Sequence, residues 1–401
     1  MALLAVDEAM SRVLADAPVM EPELVPLAQA RGRVLAHDTA ALLTQPPFNA
    51  SAMDGYAVRG EDVAQIPVTL SVIGEAAAGH GFAGSVGARQ AVRIFTGAPL
   101  PEGADAIVIQ ENVETCGDSI SVRDGRPDAE HVRPRGGDFR EGLVLLNGGT
   151  RLNARAIILA AAMGHGALNV RRKPRVAIIA TGDELVAPGT LPGPDQIISS
   201  NPHGLAAMLE EAGAEPHLLG IARDTHDSLA EAIARAADAE ILLTIGGASV
   251  GKHDLVGPAL ESAGMTLGFW KIAMRPGKPL IFGKRGSQRV IGLPGNPVSA
   301  MICTRVFVVP LVRRMLALDG AERESRSTAV LAAPLSANGP RTHYMRARYQ
   351  THEGQRVVRA LPNQDSSLLT PLAQADCLIV REAGAPAAAQ GTSVSVLDLD
   401  F

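Results

Sequence analysis

With 401 residues the chain is too long for one ordinary domain and implies about two to four, each able to bury a core. Its 46% hydrophobic and 20% charged residues are those of a soluble globular protein. A net charge of −5 and 3% aromatic residues exclude a general binder of nucleic acid or acidic membrane, so an anionic ligand must meet a local basic site.

Asp7, Glu8 and Arg12 occupy the first turns, where a secretory signal would carry a basic start and an apolar run. The longest apolar runs, Ala156 to Met163 and Val306 to Val312, fall far short of the roughly 20 residues that span a bilayer. No membrane segment is expected, and a cytoplasmic location is. Cys116, Cys303 and Cys377 are far apart and in no zinc or thioredoxin-like spacing, which predicts buried thiols in a reducing compartment.

Residues 1–40 read as helical, with Val6, Met10, Val13 and Leu14 on one face. From residue 41 to about 140, Gly and Pro recur between short β-like runs such as Val68 to Ile73, Ala91 to Phe95 and Ala106 to Ile109, predicting a small all-β domain. A helix from about Asn153 to Met163 then ends at Gly164. Beyond Arg175 strands and helices alternate: a buried strand at Val176 to Thr181, a helix capped by Asn201 with Pro202 behind it, a strand at Leu218 to Ala222, a helix from about Asp227 to Ala237, and a strand at Ile241 to Ile245. That alternation predicts a parallel sheet with crossover helices and a ligand site beyond the carboxyl ends of its strands. A long apolar helix from Val298 to about Leu318, kinked at Pro310, leads through a charged linker into short β-like runs that fit a small barrel or sandwich.

Unusual residues gather in the loops after the α/β strands: Thr181-Gly-Asp-Glu-Leu185, Arg223-Asp-Thr225, and Gly246-Gly-Ala-Ser-Val-Gly-Lys-His-Asp254. Acids from three successive loops repel one another unless a cation joins them, and hard oxygen ligands suit Mg²⁺. Taken singly, Asp183 and Asp254 also fit helix caps. Gly246, Gly247 and Gly251 let backbone N–H groups approach an anion, in a turn that is neither a Walker loop nor a dinucleotide fingerprint. Met274-Arg-Pro-Gly-Lys-Pro279 sets two cations, Arg275 and Lys278, on a stiff turn that suits a tetrahedral oxyanion or only solvent. Gly292-Leu-Pro-Gly-Asn-Pro-Val-Ser299 joins a strand to the long helix, where Asn296 and Ser299 either bind an anion or cap. In the β region, Asn49-Ala-Ser-Ala-Met-Asp-Gly-Tyr-Ala57 places Asp54 before a glycine, and Arg133-Pro-Arg-Gly-Gly-Asp-Phe139 is a basic loop with one acid, Asp138.

The Asn49 to Tyr56 segment, Thr96-Gly-Ala-Pro99, Thr181-Gly-Asp-Glu-Leu185, Gly-Gly-x-Ser-Val-Gly from Gly246, Pro-Gly-Lys-Pro279 and Leu-Pro-Gly-Asn-Pro-Val-Ser299 follow in this order. Together they resemble the molybdopterin molybdenumtransferase family, the MoeA proteins and the gephyrin E-domain, over essentially the whole chain. The resemblance implies a multidomain α/β plus β protein. It has a helical or linker domain (1–40 and 140–170), an inserted small β domain (41–139), a central three-layer α/β domain of molybdopterin-binding type with a parallel sheet (171–320), and a C-terminal β-barrel (321–401). It further implies a homodimer with the active site where the α/β domain of one subunit meets the β domain of the other.

By position, Asp54, Asp138, Glu184, Asp224 and Asp254 match the family's functional acids, with Asp224 and Asp254 linked to Mg²⁺. Thr96, Gly246, Gly247, Ser249, Arg275, Lys278, Pro294, Asn296, Pro297 and Ser366 are the implied substrate-binding positions. The implied reaction is insertion of molybdate into adenylylated molybdopterin with release of AMP. Its implied partners are molybdopterin adenylyltransferase and molybdoenzyme maturation proteins. The chain departs from the family pattern at Arg275, where relatives commonly carry Lys, at Gly137, where an acid commonly precedes Asp138, and at Lys252-His253, which replace a more acidic pair. Two rival readings are a peptide-binding scaffold and an adenylyltransferase. The first is disfavoured by the retained acids, and the second does not need the outer β domains.

Overall fold

One short amphipathic helix, Val6–Leu14, opens the chain and buries Val6, Ala9 and Val13 against the helix Val309–Met315. The computed structural model describes residues 3–124, 128–247, 255–318, 320, 326–352 and 354–399. The expectation that residues 1–40 are helical is corrected beyond Leu14. Prolines at 18, 22 and 26 remove amide donors and clash with the preceding turn. Pro22–Pro26 is instead a strand, antiparallel to Ala167–Arg171. The helix Ala154–Ala162 lies where its signals put it. Asn153 Oδ1 accepts the Ala156 amide at 3.0 Å, and Gly164 follows in the left-handed conformation at φ +97°.

The β region forms one six-stranded sheet in the order Ala106–Ile109, Gly55–Val58, Gln90–Ile94, Val68–Ala76, Ser119–Val122, Val113–Cys116. Successive side chains of a strand face opposite ways. Tyr56, Val58 and Val108 therefore pack into one apolar cluster, and Ala57, Val92 and Ile107 into another. With both faces covered, Gly55–Val58 is buried throughout, which fixes the loop that carries Asp54.

The α/β sheet has the order Glu215–Ala222, Arg175–Thr181, Ile241–Ile245, Gln288–Leu293, Ile281–Arg285, Thr266–Trp270. Its first four strands are the expected parallel core; Ile281–Arg285 adds to it antiparallel through a hairpin turning at Gly286, and Thr266–Trp270 pairs antiparallel with Ile281–Arg285 at the edge. Ile178, Leu243 and Ile291 face the layer of Asn201–Ala212, Pro297–Cys303 and Val309–Met315. Ala177, Ile179 and Leu242 face His226–Arg235 and Val256–Ser262, which completes three layers. Each large aliphatic side chain so buried contributes roughly 1.5–3 kcal/mol of transfer free energy. Pro310 is accommodated by a π turn, Thr304–Val308, directly before it. The parallel strands end level, since Thr181 pairs with Ala222 and Ile245 with Leu293. Their following loops therefore share one rim.

The C-terminal strands close on themselves in the order Thr342–His352, Gln355–Ala360, Arg326–Leu331, Ser393–Asp398, Cys377–Arg381, and back to Thr342–His352, a five-stranded barrel rather than a sandwich. Tyr344, Leu378 and Leu397 project from it into the α/β core, and Met274–Arg275 pairs parallel with Thr342–His343, so barrel and α/β domain share a seam. Cys303 and Cys377 are buried as expected, whereas Cys116 is exposed on the edge strand of the β region. No helix among the described residues is long and apolar enough to cross a membrane.

Candidate active site

A cleft of about 640 Å³ opens at the level rim of the α/β sheet. Its floor is made by Thr181, Gly182, Gly246, Gly247, Pro294 and Gly295, and Leu185, Ile197 and Ile198 form an apolar wall. The wall follows from a short parallel pairing of Leu185–Val186 with Ile197–Ile198. Gly246 has φ +99°, and a Cβ there would stand 2.7 Å from the Thr181 carbonyl, so only glycine fits. Thr181 Oγ1 donates to the Ile245 carbonyl at 3.3 Å, which draws the two loops together. Asn201 does not cap its helix, because its Nδ2 donates to the Gly295 carbonyl at 2.8 Å and braces the rim instead. A polar floor beside an apolar wall can hold a planar ring together with an anionic group.

Glu184 and Asp224 line this cleft. Asp183 stands beside them but starts no helix; its Oδ1 accepts the Asp224 amide at 3.3 Å, and its carbonyl accepts Arg223 Nη1 at 3.0 Å. Burial, then the charges of Asp183 and Glu184, raise the Asp224 carboxyl above the ordinary carboxylate range. No cation appears among the described groups that shift Asp224, and repulsion of this kind is the condition a bound divalent metal relieves. Among the described residues no three acids, His or Cys converge as a complete cage. Mg²⁺ commonly takes one or two carboxylates and completes its shell with water and phosphate oxygens, so Asp224 and Glu184 fit it. Ser249 and Asp254 lie outside the described residues.

Pro294, Asn296 and Pro297 line the opposite side. Asn296 stands at the N-cap position without a capping bond; its Nδ2 reaches Ser366 Oγ at 3.0 Å, and the Val298 amide donates to the Ser366 carbonyl at 3.1 Å. Ser299 is buried. The barrel thus delivers Ser366 to the rim, and Ser367 beside it lines the cleft. Arg346, which the sequence does not mark, is 1% exposed. It donates to the carbonyls of Leu368 at 3.0 Å, Asn363 at 3.2 Å and Asp365 at 2.9 Å, while Gln364 bonds both backbone groups of Arg346. A buried guanidinium so arranged fixes the serine loop. Arg275 and Lys278 are exposed on their turn, and Pro279 rather than either cation lines the cleft.

Asp54, Thr96 and Asp138 form a second group at one end of the β region. Asp54 Oδ1 accepts both the Thr96 amide and the Thr96 hydroxyl at 2.8 Å. These two bonds, in that order, hold its carboxyl below the usual range, with Arg93 adding to them. A Cβ at Gly55 would lie 2.1 Å from the Val108 carbonyl, so the residue after Asp54 must be glycine. Ala50–Ser51 pairs with Val132–Arg133, and the Arg135 amide donates to Asn49 Oδ1 at 2.8 Å, which brings the Asp138 loop to the same end. None of Asp54, Thr96 and Asp138 lines the cleft of its own chain.

Family models match in chain order: the MoeA N-terminal region (domains I and II) over residues 4–164, a probable molybdopterin binding domain over 177–314, and the MoeA C-terminal region (domain IV) over 328–399. The chain is 36% identical to a molybdopterin molybdenumtransferase from Nostoc sp. across 94% of this chain and 89% of the relative. It is 34% identical to one from Haemophilus influenzae across 98% of each. A crystal structure of a molybdopterin biosynthesis MoeA protein from Pyrococcus horikosii superposes with a TM-score of 0.86 at 31% identity, covering 100% of both chains. A chain that carries these three regions in order at such identity over nearly its whole length belongs to the molybdopterin molybdenumtransferase family, the MoeA-type transferases of molybdenum cofactor biosynthesis.

Proposed function

We propose that the chain inserts molybdate into adenylylated molybdopterin in the cytoplasm, cleaving its phosphoanhydride and releasing AMP. The observation that carries this reading is the cleft itself: glycine amides and an apolar wall for a pterin or adenine ring stand beside acids that repel one another. Asp224 and Glu184, joined by Asp254, would hold Mg²⁺. When bound, that ion supplies charge neutralisation at the phosphates being separated. Gly246 and Gly247 offer backbone approach to the phosphates, and Pro294, Asn296 and Pro297 keep the facing wall rigid. Ser249, Arg275, Lys278 and Ser366 receive the molybdate dianion before the two dithiolene sulfurs capture it. Asp54, Thr96 and Asp138 act from the partner subunit of a homodimer, a reading supported by their absence from the cleft of their own chain. Molybdopterin adenylyltransferase is the natural supplier of the substrate, and molybdoenzyme maturation proteins the recipients of the product.

The test is AMP release from adenylylated molybdopterin by the purified protein, with and without Mg²⁺ and molybdate. Release that requires both, and that falls by about a hundredfold or more in Asp224→Ala, is expected. A folded wild-type protein that releases no AMP under any of these conditions refutes the reading.

A further inference from the structure

Asp54 immediately precedes the strand Gly55–Val58, and three sets of contacts hold its loop. The Thr96 amide and hydroxyl hold the carboxylate, and the Gln110 amide donates to the Asp54 carbonyl at 3.1 Å. The third set comes from a side chain that the sequence does not mark. Arg93, on the neighbouring strand Gln90–Ile94, pairs with Tyr56, so both side chains project from one face of the sheet. From there its guanidinium forks. Nη1 donates to the Gly55 carbonyl at 3.2 Å, and Nη2 donates to Gln110 Oε1 at 2.7 Å.

Two rings hold the fork in place. Arg93 Cζ lies 5.1 Å from the centre of the Tyr56 ring and 4.7 Å from that of Phe95, the residue before Thr96. A guanidinium over aromatic faces gains cation–π attraction, and its planar donors lose little freedom per bond formed. Glu75 also pairs with Arg93 in the sheet register, yet the guanidinium bonds to neutral acceptors around Asp54. One side chain thus touches the three segments that set the carboxylate: Gly55 behind it, Gln110 that holds its carbonyl, and Phe95 that leads into Thr96. Displacing a reacting group by about 1 Å costs up to about a hundredfold in rate, so such bracing has a direct kinetic consequence.

We propose that Arg93 is a positioning residue for Asp54, setting where the carboxylate is presented while touching no substrate itself. The proposal rests on the reading in which Asp54 acts on the substrate from the partner subunit. Both terminal nitrogens of Arg93 already donate within the protein, which sets it apart from an arginine that offers its fork to a phosphate.

Steady-state AMP release by the full chain, with Mg²⁺ and molybdate present and rates taken per folded protein, tests this. Arg93→Met keeps the apolar stem and removes the fork. It should lower kcat about tenfold and leave KM within about twofold of wild type. Arg93→Lys should fall as far, since one ammonium does not reproduce a planar fork that holds two acceptors. Gln110 is exposed, and its backbone bond to Asp54 survives substitution. Gln110→Leu should lower kcat about threefold, and the double variant with Arg93→Met should be no slower than Arg93→Met alone. A KM that rises with kcat unchanged would make Arg93 a substrate ligand and overturn the proposal. So would an Arg93→Lys enzyme as fast as wild type, losses that multiply in the double variant, or a lowered melting midpoint with kcat unchanged. Each of those outcomes leaves the proposed function standing. If Arg93→Met does not fold, Arg93→Lys and Gln110→Leu decide by the same criteria. If wild type releases no AMP, the reading of Asp54 falls and the proposal falls with it.

Discussion

Asp54 and Asp224 carry the same side chain, and their surroundings move its ionisation in opposite directions. Thr96 offers Asp54 two donors and holds it ionised, whereas partial burial and two neighbouring acids favour the protonated form of Asp224. For Asp224 the folded-state value lies above the unfolded one. Its contribution to stability is therefore complete below the ordinary carboxylate range and is lost as the pH rises through the folded value. At neutral pH the ionised group destabilises the metal-free protein. Asp224→Asn should then melt about 1 °C above wild type without Mg²⁺ at pH 7, the two converging in acid, and should lose the rise in midpoint that Mg²⁺ gives wild type. Thermal melts across pH with and without MgCl₂ check this, and a variant that melts lower yet still responds to Mg²⁺ contradicts it. Thr96→Val removes one of the two donors to Asp54, so its carboxyl rises toward the ordinary range. The acid limb of the activity profile should move to higher pH, which a pH–rate series reads directly. The acids at the α/β rim stand out in the sequence because they follow strands in loops rich in glycine, whereas Asp54, which precedes a strand, is marked only by the family resemblance. Asp183 belongs to the same acidic loop and also fits a helix cap by its sequence; that it bonds the Asp224 amide instead depends on a loop distant in sequence.

Among the elements, the two loops that meet at Asn296 and Ser366 join domains separated by a charged linker. Their contact should register as an interaction between the two side chains. In a double-mutant cycle of Asn296→Ala and Ser366→Ala the coupling is expected at about 0.5–1.5 kcal/mol of unfolding free energy, and additivity would show that the contact contributes nothing. Arg346 acts one step further back. In the sequence it is one arginine in a strand of alternating character, indistinguishable from the exposed Arg348 two residues on. Only closure of the barrel gives it three carbonyls to hold. The opening segment illustrates the converse limit. Its apolar spacing gave a true helix as far as Leu14, but prolines at 18, 22 and 26 outweigh the weak helical preference of the residues between them.

On the scale of the whole molecule, the acids fall into two groups on different domains. Asp224 and Glu184 stand at the rim of the α/β sheet, and Asp54 and Asp138 at one end of the β region. Alternation of strands and helices made the first domain legible, and recurrent Gly and Pro the second. The relation between them was not legible, since no local pattern specifies which surfaces of two copies meet. The central claim is that both groups act on one substrate, each pair of groups drawn from two subunits. Co-expression of Asp54→Asn and Asp224→Asn chains, followed by assay of molybdate-dependent AMP release, tests it most directly. Each variant alone should be inactive. Random pairing makes about half the dimers mixed, each with one of its two sites intact, so about a quarter of wild-type activity should return. Activity that stays at the level of the separate variants, in a preparation containing mixed dimers, would contradict the account.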